Sequence, residues 1–126
     1  MLTYVNATPL DLHQCGSYEA SAEFKEITVV LQHTGKLPAS AMGHNWVLSR
    51  TSDSPGVVSD GMKAALADQY IKPGDARVLA ATKVIGGGES TSVKFSTAKL
   101  QKGESYTYVC TFPGHSTLMK GTLTLT

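Results

Sequence analysis

Alternating apolar and polar residues fill several short stretches of the chain, which is the pattern of half-buried β-strands. The clearest stretch spans residues 24–34, where Ile27, Val29, Leu31 and His33 share one face. A histidine on an otherwise apolar face is expected to be buried and satisfied by hydrogen bonds. This stretch therefore predicts a long strand with one side in the core.

Shorter stretches alternate in the same way and are separated by turn-forming residues. They span residues 1–7, 46–48, 78–85, 92–96, 105–110 and 121–126. The first is expected to end at Thr8-Pro9, because proline donates no hydrogen bond to a strand ladder. Several short strands between turns predict an all-β sandwich.

One stretch has a helical period instead. Between residues 54 and 70 the apolar side chains recur every three or four positions, and Ser54-Pro55 is a plausible helix start. The predicted apolar face consists of Val58, Met62, Ala65, Leu66 and Tyr70. We expect one helical excursion near residues 55–68, outside the sandwich.

Composition supports one globular domain spanning residues 1–126, with 41% hydrophobic and 17% charged residues. A formal net charge of +1 indicates neither a nucleic-acid-binding face nor a field that attracts an anionic membrane. No apolar run approaches the roughly 18 residues of a membrane-spanning helix, and no signal peptide is recognisable.

Candidate metal chemistry lies near the end of the chain. Cys110, His115 and Met119 fall in one short stretch between two predicted strands, and His44 lies far upstream. Thiolate, imidazole and thioether donors favour copper(I) and zinc over hard cations. Two histidines and one cysteine with a weak axial methionine are typical of blue-copper electron-transfer sites.

Five runs of sequence resemble the azurins, small blue copper proteins of the cupredoxin family. They are residues 42–48, 56–62, 82–86, 110–115 and 118–125, and the resemblance is specific from about Ile27 onward. It implies an all-β, Greek-key β-sandwich (cupredoxin-like) of about eight strands. It also implies one type 1 copper ion that cycles between Cu(II) and Cu(I). The protein would pass single electrons between redox partners, without enzymatic activity.

The resemblance also implies roles for individual residues. The metal ligands would be His44, Cys110, His115 and Met119, with the backbone carbonyl of Gly43 as a weak addition.

Around these ligands, the backbone N–H groups of Asn45 and Phe112 would point at the sulfur of Cys110. The Asn45 side chain would join the two ligand loops, whereas Pro113 has no N–H to donate.

An apolar surface around the edge of His115 is the implied exit for electrons. Its residues would be Leu10, Leu37, Ala41, Met42, Met62, Phe112, Pro113, Gly114 and Leu118. The implied partners are redox proteins such as c-type cytochromes or a copper nitrite reductase, in a bacterial periplasm, with no nucleic acid or membrane. Such encounters use small interfaces, below about 1,200 Å².

The two cysteines depart from the azurin pattern. Azurins usually have a disulfide between the first and third strands, but Phe24 stands where the second half-cystine is expected. We expect the Phe24 ring to be buried in place of that bridge. Cys15 could be a small buried residue, a reactive thiol, or a second metal ligand with His13.

Three alternatives remain open. The ligand set could hold zinc, although Met119 is an unusual zinc ligand. A Cys–His pair could act as nucleophile and base, but no third orienting group can be placed beside it. The chain could also be an engineered or divergent scaffold that binds copper or zinc without a physiological redox role.

Overall fold

The structure, a computed structural model, describes the backbone of residues 2–5 and 8–10 and all of residues 17–126. Within these described residues, nine strands form two sheets of four and five strands. They are β1 (Leu2–Val5), β2 (Thr8–Leu10), β3 (Ser17–Ala20), β4 (Glu26–Gln32), β5 (Val47–Arg50), β6 (Ala80–Ala81), β7 (Ser90–Ser96), β8 (Ser105–Val109) and β9 (Lys120–Leu125). The predicted all-β class is confirmed, with nine strands rather than about eight.

The smaller sheet has the order β2-β1-β4-β7, and the larger has the order β3-β9-β8-β5-β6. Neighbouring strands are antiparallel except for β3 and β9, which run parallel. The prediction that Thr8-Pro9 ends the first strand region is wrong, because Pro9 lies within β2. β2 is an edge strand, where a missing N–H can face away from the sheet.

The core lies between the sheets and follows the predicted alternation. Ile27, Val29 and Leu31 of β4 are fully buried. Trp46 is also fully buried, and its ring stacks on Tyr108, with ring centroids 5.7 Å apart. Each fully buried side chain of this size contributes about 1.5–3 kcal/mol, so this core supplies a rigid support for the loops at one end.

In the part of the chain that the structure describes, two α-helices interrupt the strands: α1 (Ala39–Met42) and α2 (Ser54–Lys63). The predicted helical excursion near residues 55–68 is confirmed, although it is not one continuous helix. Ala64 is extended at the end of α2, and a short 3-10 turn follows at Leu66–Asp68.

The predicted apolar face of the helix is also shifted. Helix α2 buries Ser54, Val57 and Gly61, whereas Met62 is 40% exposed. The apolar positions beyond Lys63 therefore belong to a separate segment, whose Tyr70 backbone packs against α2 at Gly61.

Two further predictions need correction. Residues 78–85 form only the two-residue strand β6, and Ile85 makes an isolated bridge with His44. The Phe24 ring is 54% exposed, because Phe24 lies in a turn before β4, where its N–H donates to Ser21. It does not replace a disulfide by burial. His13 and Cys15 lie outside the described residues.

No helix in the described part of the chain is long and apolar enough to cross a bilayer.

Candidate metal centre

Three donor side chains, two from one loop and one from a distant part of the sequence, meet at one end of the sandwich. Cys110 Sγ lies 3.7 Å from His115 Nδ1 and 4.0 Å from His44 Nδ1. The three donor atoms all lie within 4.8 Å of one another. Cys110 is fully buried, His44 is 8% exposed, and His115 is partly exposed.

This spacing fits one shared metal ion. Metal bonds of about 2.0 Å to nitrogen and about 2.3 Å to sulfur, at angles near 110–120°, separate two donors by roughly 3.5 Å. The sulfur–nitrogen distances are close to that value. One soft thiolate and two imidazoles suit copper or zinc better than a hard cation.

Three candidate ligands come from the loop between β8 and β9. The Cys110 N–H donates to the Met119 carbonyl at 3.0 Å, which closes the loop at its base. Within the loop, the Met119 N–H donates to the His115 carbonyl at 2.9 Å. Met119 is 4% exposed and packs in the same core cluster as Cys110. The loop thus brings Cys110 Sγ and His115 Nδ1 together and buries Met119 beside them in the core.

His44 reaches the centre from a different segment. Its backbone pairs with Ile85 through two hydrogen bonds of 2.9 and 3.0 Å. Its ring also contacts the ring of His33, with centroids 4.2 Å apart. This isolated bridge fixes the position from which the His44 side chain turns inward.

Burial governs the protonation of the donors. It raises the pKa of the Cys110 thiol, while hydrogen bonds from the backbone N–H groups of Asn45 and Phe112 act in the opposite direction. For His115, burial lowers the pKa, and a hydrogen bond with the Gly43 backbone opposes this. The metal-free site therefore favours neutral donors.

Gly43 is tightly enclosed. A Cβ on Gly43 would lie 2.5 Å from Val84 Cγ1, 2.7 Å from the Ala39 carbonyl and 2.9 Å from Phe112 Cδ2. Only glycine allows the backbone to approach its neighbours so closely. Its hydrogen bond with His115 brings the Gly43 backbone to the edge of the candidate centre.

His33 is buried as expected and supports the same segment. Its Nδ1 accepts from the Gly35 N–H at 3.0 Å, so its Nε2–H donates to the Met42 carbonyl at 2.6 Å. The prediction of a satisfied core histidine is confirmed.

Asn45 connects the two segments that carry the donors. Its Oδ1 accepts from the Thr111 N–H at 2.8 Å, and its Nδ2 donates to Thr111 Oγ1 at 2.8 Å. Nδ2 also donates to the Gln69 carbonyl at 3.1 Å, and Thr111 Oγ1 donates to the Tyr70 carbonyl at 2.7 Å.

The sequence patterns did not predict that Thr111, Gln69 and Tyr70 support the candidate centre. Their contacts join positions 24 to 66 residues apart. The one local indication was that Thr111 lies beside Cys110.

The predicted apolar surface is mostly exposed. Leu37, Met42, Met62 and Leu118 are 52%, 37%, 40% and 68% exposed. Ala41, Pro113 and Gly114 are exposed too, and the side chain of Leu10 lies outside the described residues.

Phe112 differs from the rest of that surface, because it is 8% exposed. Its ring stacks on His115 and meets the edge of the Tyr70 ring. It therefore backs the His115 ring and contributes little surface.

Comparison with known proteins decides the family. Residues 17–126 match the family described as copper binding proteins, plastocyanin/azurin family. The chain belongs to the plastocyanin/azurin family.

Individual azurins cover most of the chain. Azurin from Bordetella pertussis is 60% identical over 107 residues, which are 85% of this chain and 71% of the relative. Azurin from Pseudomonas aeruginosa is 59% identical over 101 residues, 80% of this chain and 68% of the relative.

A solved structure shares the fold. It is the azurin (Az-iso2) of the obligate methylotroph Methylomonas sp. strain J, with a TM-score of 0.83 and 46% identity. The similarity covers 87% of this chain and 85% of that one. The predicted resemblance to azurin is confirmed. Copper is the metal of this family, and the His44–Cys110–His115 cluster fits a type 1 copper site.

Proposed function

We propose that this protein is an electron carrier with one type 1 copper site. The observation that carries the proposal is the buried cluster of Cys110 Sγ and two imidazole Nδ1 atoms within 4.8 Å. When bound, copper supplies a one-electron couple between Cu(II) and Cu(I). The protein acts as a carrier rather than an enzyme, and residues 1–126 form one domain.

In this proposal His44, Cys110 and His115 would hold the copper ion. Met119 would add a weak thioether ligand, and the backbone carbonyl of Gly43 would be a further weak addition. Rigid loops keep the donors in nearly the same positions in both oxidation states. A small rearrangement means a low barrier to the transfer of one electron.

Hydrogen bonds to the cysteine sulfur tune the reduction potential of such a site. The backbone N–H groups of Asn45 and Phe112 contribute those bonds to Cys110. Pro113 has no N–H and adds none.

The deciding experiment is an optical and electron paramagnetic resonance titration with one equivalent of Cu(II). We expect an intense blue band and narrow copper hyperfine splitting, both abolished in Cys110→Ser. A pale tetragonal spectrum, or oxidation of Cys110 without stable copper, would refute the proposal. Tight zinc binding without a blue copper form would instead favour a redox-inactive metal protein.

Electrons would leave through the partly exposed His115, across the surrounding apolar residues. Exposed apolar patches of this kind mark sites of protein contact. We propose redox partners such as c-type cytochromes or a copper nitrite reductase, met in the bacterial periplasm through a small interface.

Stopped-flow oxidation by a c-type cytochrome tests that surface. Leu118 is 68% exposed, and Leu118→Lys should slow the second-order rate about 10-fold or more. Phe24 is 54% exposed outside the proposed surface, so Phe24→Lys is a matched control that should leave the rate unchanged. Equal effects of both variants would argue against this surface.

A further inference from the structure

Gln69 has an unfavourable backbone conformation next to the candidate centre. It lies in the left-handed region, with φ of 60°, and Tyr70 follows with φ of 51°. Residues other than glycine, asparagine and aspartate rarely adopt this conformation, because the Cβ crowds the carbonyl oxygen. Two such residues in succession persist only where surrounding contacts impose them.

The contacts of Gln69 account for its conformation. Its Oε1 accepts from the Val84 N–H at 2.6 Å, and its own N–H donates to the Leu66 carbonyl at 2.8 Å. Its carbonyl accepts from Asn45 Nδ2 at 3.1 Å. One residue therefore bonds to two separate segments through its side chain and its backbone.

Both of those segments carry or flank candidate ligands. Asn45 follows His44, and its amide holds Thr111 beside Cys110. Val84 precedes Ile85, whose backbone pairs with His44. The Val84 side chain also closes against Gly43.

We propose that Gln69 is a positioning residue, whose side chain fixes the backbone carbonyl that orients Asn45 and so holds the His44 and Cys110 segments together. The role rests on the copper function proposed above but is defined by protein contacts alone. A polar residue in a surface segment thereby sets the geometry of a buried site. Nothing in its local sequence pattern indicates this role.

Three substitutions separate the hydrogen bond from the backbone conformation. Gln69→Ala removes Oε1 and keeps the backbone restriction. Gln69→Gly also removes Oε1, but glycine adopts the left-handed conformation freely. Gln69→Glu retains an acceptor for the Val84 N–H. The exposed Gln101 provides the matched control, Gln101→Ala.

The first measurement is amide hydrogen exchange in the metal-free protein. We expect the Val84 N–H to exchange about 5- to 10-fold faster in Gln69→Gly, since a hydrogen bond is lost. The Thr111 N–H should follow with a smaller increase, about 3-fold, because Asn45 is less well held. Gln69→Glu should restore both rates, and Gln101→Ala should change neither. Faster exchange at Val84 with an unchanged rate at Thr111 would overturn the proposal.

The second measurement compares stability with copper binding. The urea midpoint of Gln69→Gly should stay near that of the wild type, because relief of the left-handed restriction offsets the lost bond. Its Cu(II) affinity should nevertheless fall about 10-fold, as is common when an outer partner of a ligand is lost. If the role of Gln69 were purely structural, Gln69→Gly would instead lower the urea midpoint and leave the Cu(II) affinity unchanged.

The two proposals can fail separately. If the wild type gave no blue copper spectrum, the electron-transfer function would fail, while the exchange rates of the metal-free variants would still decide the role of Gln69. If the wild type were blue and Gln69→Gly kept its affinity and hyperfine splitting, the positioning role alone would be refuted.

Discussion

Asn45 and Thr111, 66 residues apart, exchange two hydrogen bonds of 2.8 Å in the buried region behind Cys110. The amide oxygen of Asn45 accepts from the Thr111 backbone, and its amide nitrogen donates to the Thr111 hydroxyl. Asn45 is fully buried, so water cannot replace either bond. The geometry of the candidate centre thus depends on a neutral pair that contributes no metal donor.

Asn45→Ala should destabilise the metal-free protein by about 3 kcal/mol, because it removes the two bonds to Thr111 and the bond to the Gln69 carbonyl, and leaves the Thr111 N–H buried without a partner. Thr111→Val loses only the hydroxyl and should cost about 1 kcal/mol. Urea denaturation measures both values. Equal losses for the two variants would contradict this account, because Thr111→Val keeps the bond from the Thr111 N–H to Asn45 Oδ1.

Substitution by alanine at two glycines of α2 should have different effects on stability. A Cβ at Gly61 would collide with the Tyr70 carbonyl, which is backbone and cannot move aside. We expect Gly61→Ala to cost about 1–3 kcal/mol despite the better helix propensity of alanine. Thermal and urea unfolding would test this.

Gly56 is the matched control in the same helix. A Cβ there would meet only the guanidinium end of Arg77, a partly exposed side-chain tip that can shift where backbone cannot. Gly56→Ala should therefore lie within about 1 kcal/mol of the wild type, with any loss offset by helix propensity. A large loss at Gly56 together with none at Gly61 would contradict this account of the packing.

Stability of the metal-free protein should fall in alkaline solution. Burial raises the pKa of Cys110 above its ordinary value of 9.0, so the folded state holds the thiol proton more tightly than the unfolded state. The contribution is complete below about pH 9 and is lost as the pH rises through the folded pKa. Urea midpoints between pH 7 and pH 11 would reveal the decline.

The comparison belongs in a Cys15→Ser background, where Cys110 is the one remaining cysteine of the sequence. There, Cys110→Ser should remove the alkaline decline. Copper or zinc should bind more tightly as pH rises, because binding displaces that same proton. An unchanged decline in the serine variant would assign it to other groups.

Asp75 should stabilise the protein at neutral pH and lose that effect in acid. Arg77 donates to both of its carboxylate oxygens, at 2.8 and 2.9 Å, and this hydrogen bonding lowers the pKa of Asp75. The contribution is therefore present above the unfolded pKa and is lost as pH falls through the lower folded value.

Asp75→Asn should cost about 1 kcal/mol at pH 7 and progressively less in acid. The exposed pair of Lys94 and Glu26, 3.5 Å apart, provides the comparison. Glu26→Gln should change the stability by less than about 0.5 kcal/mol. Urea unfolding across the acidic range distinguishes the two, and a constant difference for Asp75→Asn would contradict the pKa argument.

Alternation predicted the strands well wherever one face is buried. Along β4 and β9, every second side chain is buried, so the alternation of apolar and polar residues shows which face of the strand is in the core. The ligand loop after β8 could be predicted equally well, because its candidate donors lie close together in the sequence.

The helix was harder to predict because its end depends on distant partners. Its apolar period continues past Lys63, but Ala64 turns into an extended conformation and Gln69 into a left-handed one. What fixes Gln69 is a hydrogen bond to Val84, 15 residues later. No local pattern encodes such a contact.

The parallel pairing of β3 with β9 has a consequence for folding kinetics. Thr126 and Ala20, hydrogen-bonded at one end of this pair, are 106 positions apart. Contacts between such distant positions must close a large loop before they contribute any stability, and proteins rich in them fold in milliseconds to seconds. The hairpin of β8 and β9 can form early, but the edge of the larger sheet remains open until β3 docks. Until then β9 exposes unpaired backbone groups, and this interval is when the chain is most prone to associate with other copies of itself.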